Sequence, residues 1–191
     1  MTAFVLVCVA AVVALLGWVF VGRSRHRRPL GAAITVLTVL ATVATVFGEP
    51  MGGDWQRTLV LLALVLAVCG GAVVTTAAFD HIDSADTGRG SAYTMESAGH
   101  VLRGGAWIGA LERLAIFGTL AARWPEGVAV VLAVKGLGRY PELRNPVEVT
   151  GSPGSSGATE RFIIGTMISM SWAALCIYLA FSPYVVGPSL R

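Results

Sequence analysis

The chain has 191 residues, 55% of them hydrophobic and only 13% charged, with a mean hydropathy of +0.72. A soluble domain of this size needs more polar surface, so the composition excludes one and indicates a single membrane domain over residues 1–191. The net charge is +3, but the basic residues are scattered through short loops without interleaved aromatics, which excludes a nucleic-acid surface.

Runs of about 20 apolar residues can cross a bilayer core of roughly 30 Å as helix. The first, residues 3–22, has no positive charge before Val21, and its basic cluster RSRHRRP follows it. A secretory signal has the opposite order, so this run reads as a retained membrane helix. Residues 30–48 and 58–79 give the second and third. A polar loop, Asp80–Arg103, separates them from the fourth, 104–122, which carries charges at its centre. The fifth, 124–141, is short in apolar residues and carries Lys135, so it reads as a full crossing or a re-entrant segment. Residues 146–159, PVEVTGSPGSSGAT, are expected to form a flexible cytoplasmic connector. The sixth run is 162–182.

Loop charge bears on the count. Six crossings place Arg23, Arg25, Arg27, Arg28, Arg89, Arg103, Arg139, Arg144 and Arg161 on one side, and only Arg57, Arg123 and Arg191 on the other. That asymmetry is the positive-inside pattern, with both termini extracytoplasmic. Omitting the fifth crossing moves Arg139, Arg144 and Arg161 to the other side and weakens the bias. The expected fold is therefore an all-α polytopic membrane protein of about six transmembrane helices, with five as the alternative. Its expected location is a bacterial inner membrane, with anionic lipid along Arg23–Arg28.

The fourth run contains WIGALERLAIF, with Glu112 and Arg113 adjacent at its centre. A charge at mid-helix costs on the order of 2.5–3.5 kcal/mol to insert, so such residues face protein or water. Neighbouring helical positions point about 100° apart, so each needs its own partner. Depth suggests Glu112 with Lys135, while Arg139, and Arg113 with it, would meet Glu160 nearer the cytoplasm. Small residues accompany these charges: Gly105 and Gly109 as GxxxG, Gly136 and Gly138 beside Lys135, and Gly165 with the hydroxyls of Thr166 and Ser169. Small residues let helix backbones approach, and hydroxyls bond across helices or to a ligand.

The ordered set IGALER, AVKGLGRYPELRN and ERFIIGTMIS resembles a bacterial multi-pass membrane family, a domain of unknown function. That family's C-terminal half reads IG-x-LER, A-x-K-x-x-x-R-[FY]-x-E-L and E-[YF]-x-[IL]-IGT-x-x-S. The resemblance covers about residues 105–182 and carries Glu112, Arg113, Lys135, Arg139, Glu142, Glu160, Gly165, Thr166 and Ser169. It implies that the polar residues of the last three helices belong together, and it brings no activity. The first three helices do not follow the family, and the linker before Glu160 is longer.

Other features read as structural. Asp80, Asp83 and Asp86 are candidate metal ligands, and Asp80 and Asp83 match the first half of the CDP-alcohol phosphatidyltransferase pattern, but Ser84 replaces its glycine, and Arg103 and Trp107 stand where further acids belong. Two metal ions need those acids, so the segment reads as a solvated acidic loop with no metal. Cys8, Cys69 and Cys176 match no metal or disulfide spacing and read as small hydrophobes. Trp18, Trp55, Trp107, Trp124 and Trp172 read mostly as interfacial anchors. No catalytic residue or cofactor is expected. Three roles remain: a polar intramembrane site that binds or transports an ion, a proton or a lipid headgroup; an accessory subunit whose charges dock a membrane partner or a second copy; and a lipid-modifying enzyme, which lacks a complete catalytic set.

Overall fold

The computed structural model describes residues 2–20, 27–48, 53–86, 105–138 and 155–185, with side chains at 2–19, 27–48, 55–82, 107–138 and 162–182. All elements among them are helical: α1 Thr2–Phe20, α2 Arg27–Phe47, α3 Gly53–Val65, a π turn Leu66–Gly70, α4 Gly71–Asp86, α5 Gly105–Ala121, α6 Glu126–Gly138 and α7 Ser155–Val185. The π turn joins α3 and α4 into one long rod.

Four of these helices are long and apolar enough to cross a membrane: Thr2–Val19, Arg27–Phe47, Trp55–Ile82 and Phe162–Ser182. Their outward faces stay apolar, as Val5, Val12, Leu16, Val36, Leu40, Leu61 and Ile163 illustrate. A helix that is hydrophobic all round is suited to lipid. Lipid and leucine are equally apolar, so burial alone does not hold such helices together; close packing through small residues does. On α1 the inward stripe is Ala3, Val7, Ala10, Ala11 and Ala14. On α2, Gly31 lies so close to α4 that a Cβ there would stand 2.4 Å from the Ala77 Cβ. Thr38, Thr42 and Thr45 are buried on the same helix, each hydroxyl donating to its own backbone one turn back. Thr45 also bonds Ser182 of α7 across 2.8 Å.

Contacts between helix ends fix the chain's direction. Phe4 of α1 meets Trp55 of α3 at one end, where Gln56 also donates to the Ala180 carbonyl of α7. At the other end Trp18 meets Trp107, Arg28 donates to the Asp80 carbonyl, and Gly165 lies under Phe79. The rods thus alternate in direction along the chain.

The elements extend or trim the expected segments. Helix continues through residues 80–86, at the start of the expected acidic loop, and α7 begins at Ser155, inside the expected 146–159 connector. The rest of both segments, residues 87–103 and 146–154, lies outside the described residues. Two helices are shorter than the four spans: α5, with 17 residues, and α6, with 13, are roughly 25 Å and 20 Å long. The turn between them closes α5 in the Schellman pattern: the Trp124 amide donates to the Thr119 carbonyl and the Arg123 amide to Leu120. Arg123 takes φ 57° where glycine is usual. Pro125 then restricts Trp124 to extended backbone and opens α6.

Candidate functional site

The charges of α5 diverge as helical geometry requires. Glu112 turns outward to α6 and accepts a hydrogen bond from the Lys135 ammonium, closing an ion pair between the two helices. The Lys135 Nζ also stands 5.4 Å from the centre of the Phe162 ring on α7, a cation–π contact. The pair is mostly shielded, with 19% of the lysine side chain and 16% of the glutamate accessible.

Arg113 turns inward and is 4% exposed. Its Nε donates to the Val68 carbonyl at 3.0 Å, and its Nη1 makes a longer contact of 3.4 Å with the Ser169 hydroxyl. Val68 belongs to the π turn. A π turn widens the helix locally and departs from the α-helical ladder. Two of its carbonyls accept hydrogen bonds from other helices: Arg113 bonds Val68, and the buried Trp172 indole donates to Leu66 at 2.9 Å. A carbonyl has two lone pairs, so each of these bonds adds to the hold on the turn.

Glycine supplies the room. A Cβ on Gly71 would stand 2.4 Å from the Arg113 Cδ and 2.9 Å from the Trp172 Cδ1. One on Gly70 would stand 3.1 Å from the Trp172 ring. Gly109, one turn before Arg113, lets the guanidinium fold back along α5, its Cβ position lying 3.3 Å from Nη1.

The structure thus brings together Glu112 with Lys135, and Arg113 with Ser169. Thr166 is buried, but its hydroxyl donates to the Phe162 carbonyl of its own helix. Helical phase aims Arg113 at the bundle centre, where it meets the π turn and Ser169; its expected meeting with Glu160 falls on a side chain outside the described residues. Arg139, the Glu160 side chain and the surroundings of Gly105 lie outside the described residues. Gly165 packs against the Phe79 ring, with a Cβ position 3.0 Å from its Cζ. Gly136 and Gly138 show no packing contact of the expected kind among the described residues: a Cβ at either would meet nothing within 4 Å. The Asp83 and Asp86 side chains lie outside the described residues. Among the described residues no three His, Cys, Asp or Glu side chains gather as metal ligands. Asp80 offers its backbone carbonyl to Arg28.

Trp172 corrects the reading of the tryptophans as interfacial anchors. Trp55, Trp107 and Trp124 are exposed near helix ends, but Trp172 is buried at mid-span as a carbonyl cap. Its partner, the Gly70–Gly71 pair in the middle of an apolar run, is the sequence feature that marks the bulge. Glycine is unfavourable in a helix by about 1 kcal/mol relative to alanine, so two in succession at mid-span indicate a close approach. Comparison with family models, curated proteins and solved structures gives no match to this chain.

Proposed function

We propose that the protein is a multi-pass inner-membrane protein of six crossings, with extracytoplasmic termini, that holds an anionic group at a polar intramembrane site on α5–α7. Excess charge is the observation that carries this reading. Arg113 and Lys135 bring two positive charges to the site, and Glu112 alone opposes them among the described residues. Among the described residues Arg113 bonds a carbonyl and a hydroxyl rather than a carboxylate. An uncompensated cation at membrane depth is expensive, and an anion removes that expense. A guanidinium suits phosphate or carboxylate because its planar donors match their paired oxygens. Both a phospholipid headgroup and a small free anion have this chemistry. The resemblance of residues 105–182 to a bacterial membrane family supports treating these polar residues as one set.

Native mass spectrometry from mild detergent tests the reading. The full chain is expected to retain phosphatidylglycerol or inorganic phosphate, and Arg113→Gln to bind it about tenfold more weakly, equivalent to about 1.4 kcal/mol. Equal retention by wild type and by Arg113→Gln, or none by either, rejects the site.

A second reading has its own observation. α6 buries only Gly127 among its described residues and is tied at its far end by Lys135. On that reading the charges hold a peripheral helix in register, as in an accessory subunit. A charge swap, Glu112→Lys with Lys135→Glu, that restores both abundance and anion retention favours register alone for this pair.

A further inference from the structure

The π turn has a property that the anion reading does not use: its carbonyl caps come from side chains that can leave. We infer that Leu66–Gly70 and Arg113 form a two-position latch, in which an anion on Arg113 takes the guanidinium from Val68 and the turn closes toward α-helix. The inference rests on the proposed anion site and adds what binding does to the fold.

The residues concerned are all placed. Arg113 Nε is 3.0 Å from the Val68 carbonyl and Trp172 Nε1 is 2.9 Å from Leu66. The guanidinium has five donors, yet the hydrogen bonds it makes among the described residues end at one carbonyl and one serine hydroxyl. A bidentate anion offers it stronger, charge-assisted bonds than a neutral carbonyl does. Once Arg113 turns away, Val68 loses a bond that favours the wider turn, and the balance shifts toward the α-helical ladder. Gly70 and Gly71 make that change easy, since no side chain hinders rotation about their backbones.

The change has a defined direction. A π bulge is one extra residue in a turn, so moving or closing it rotates the adjoining helix by on the order of 100° per residue shifted. The part affected is the Gly71–Asp86 side of the rod. That helix packs on α2 through Gly31 and Ala77, holds Arg28 at the Asp80 carbonyl, and sets Phe79 on Gly165 of α7. Binding at mid-membrane is thereby passed to the end where α2 begins and α4 stops.

The sequence offers a single-site probe. Cys69–Gly70 is the chain's one Cys–Gly peptide, because Cys8 precedes Val9 and Cys176 precedes Ile177. Labelling with carbonyl-13C cysteine and 15N glycine therefore isolates one resonance inside the π turn. Magic-angle-spinning NMR would be run on the full chain in phosphatidylcholine vesicles, first alone, then with inorganic phosphate, then with phosphatidylglycerol in the vesicles. One signal is expected without anion, and a second position when either anion is retained. Arg113→Gln should occupy the second position with no anion present. Arg113→Lys, which keeps a cationic donor, should stay in the first and guards against misreading a folding defect. A signal that stays put while mass spectrometry shows bound anion overturns the latch and leaves the anion site standing. No bound anion overturns both. A response to phosphatidylglycerol but not phosphate makes the occupant a lipid headgroup, and the reverse makes it a free anion.

Discussion

The bundle of α1, α2, α3–α4 and α7 and the α5–α6 hairpin solve the same problem by different means. The bundle is held by shape. Val7, Ala10, Ala14, Ile34, Leu59, Leu66 and Leu179 are fully buried, and Gly31 and Gly165 bring backbones close. In the hairpin polarity adds to shape: α5 buries Ala110, Ile116 and Phe117 and sends Arg113 into the bundle, while α6 reaches α5 through Lys135 and the tightly packed Gly127. Lipid competes with any apolar contact but not with a carbonyl or an ion pair. A short helix with little to interlock therefore gains most from polar bonds. The difference teaches that volume should break the bundle and charge should break the hairpin.

The largest effect is expected from Gly31→Val. Its Cβ would already overlap that of Ala77, which cannot move without its backbone, so α2 and α4 must separate. A loss of about 3 kcal/mol is expected, read as the thermal unfolding midpoint in mild detergent. An unchanged midpoint would show that α2 and α4 do not pack through this contact.

Next comes Lys135→Met, which leaves Glu112 without its partner on α6. The expected loss is about 2 kcal/mol, less than for a fully buried pair because Arg113 adjoins the carboxylate and some water reaches it. Glu112→Gln should likewise lower membrane accumulation. The swap Glu112→Lys with Lys135→Glu should recover about half of the Lys135→Met loss, since it keeps the pair but puts a second cation beside Arg113. Normal abundance of both single variants would remove the pair from the account of how α6 is held.

Thr45→Val sharpens the comparison at smaller scale. It removes a hydroxyl link between α2 and α7 at 2.8 Å while keeping the volume, and Ser182 retains the Leu179 carbonyl. A loss of about 1 kcal/mol is expected from chemical unfolding curves, with little further loss when Ser182→Ala is added. Additive losses would mean the two hydroxyls act separately.

The smallest effect has the opposite sign. Gly136→Ala and Gly138→Ala enter space that is open among the described residues, so each should raise stability by up to about 1 kcal/mol through helix propensity. Destabilisation by either would mean that something in the assembled membrane protein packs against that position.

The sequence by itself determined the helical, lipid-facing character, because runs of apolar residues near 20 long leave the backbone no other way to satisfy its own hydrogen bonds in a bilayer. It also indicated Glu112 with Lys135, since depth along two neighbouring helices and opposite charge leave few alternatives. The tertiary structure alone decided where Arg113 goes. A carbonyl carries no side-chain signature, so nothing in the order of residues marks Val68 as an acceptor. The Gly70–Gly71 pair hints at a close approach but does not say by what. Trp172 shows the same limit, because its place in an apolar run fits a core position as well as an anchor. Only the convergence of α3–α4, α5 and α7 assigns it to Leu66, and with it the bulge that the sequence pattern of an unbroken apolar helix conceals.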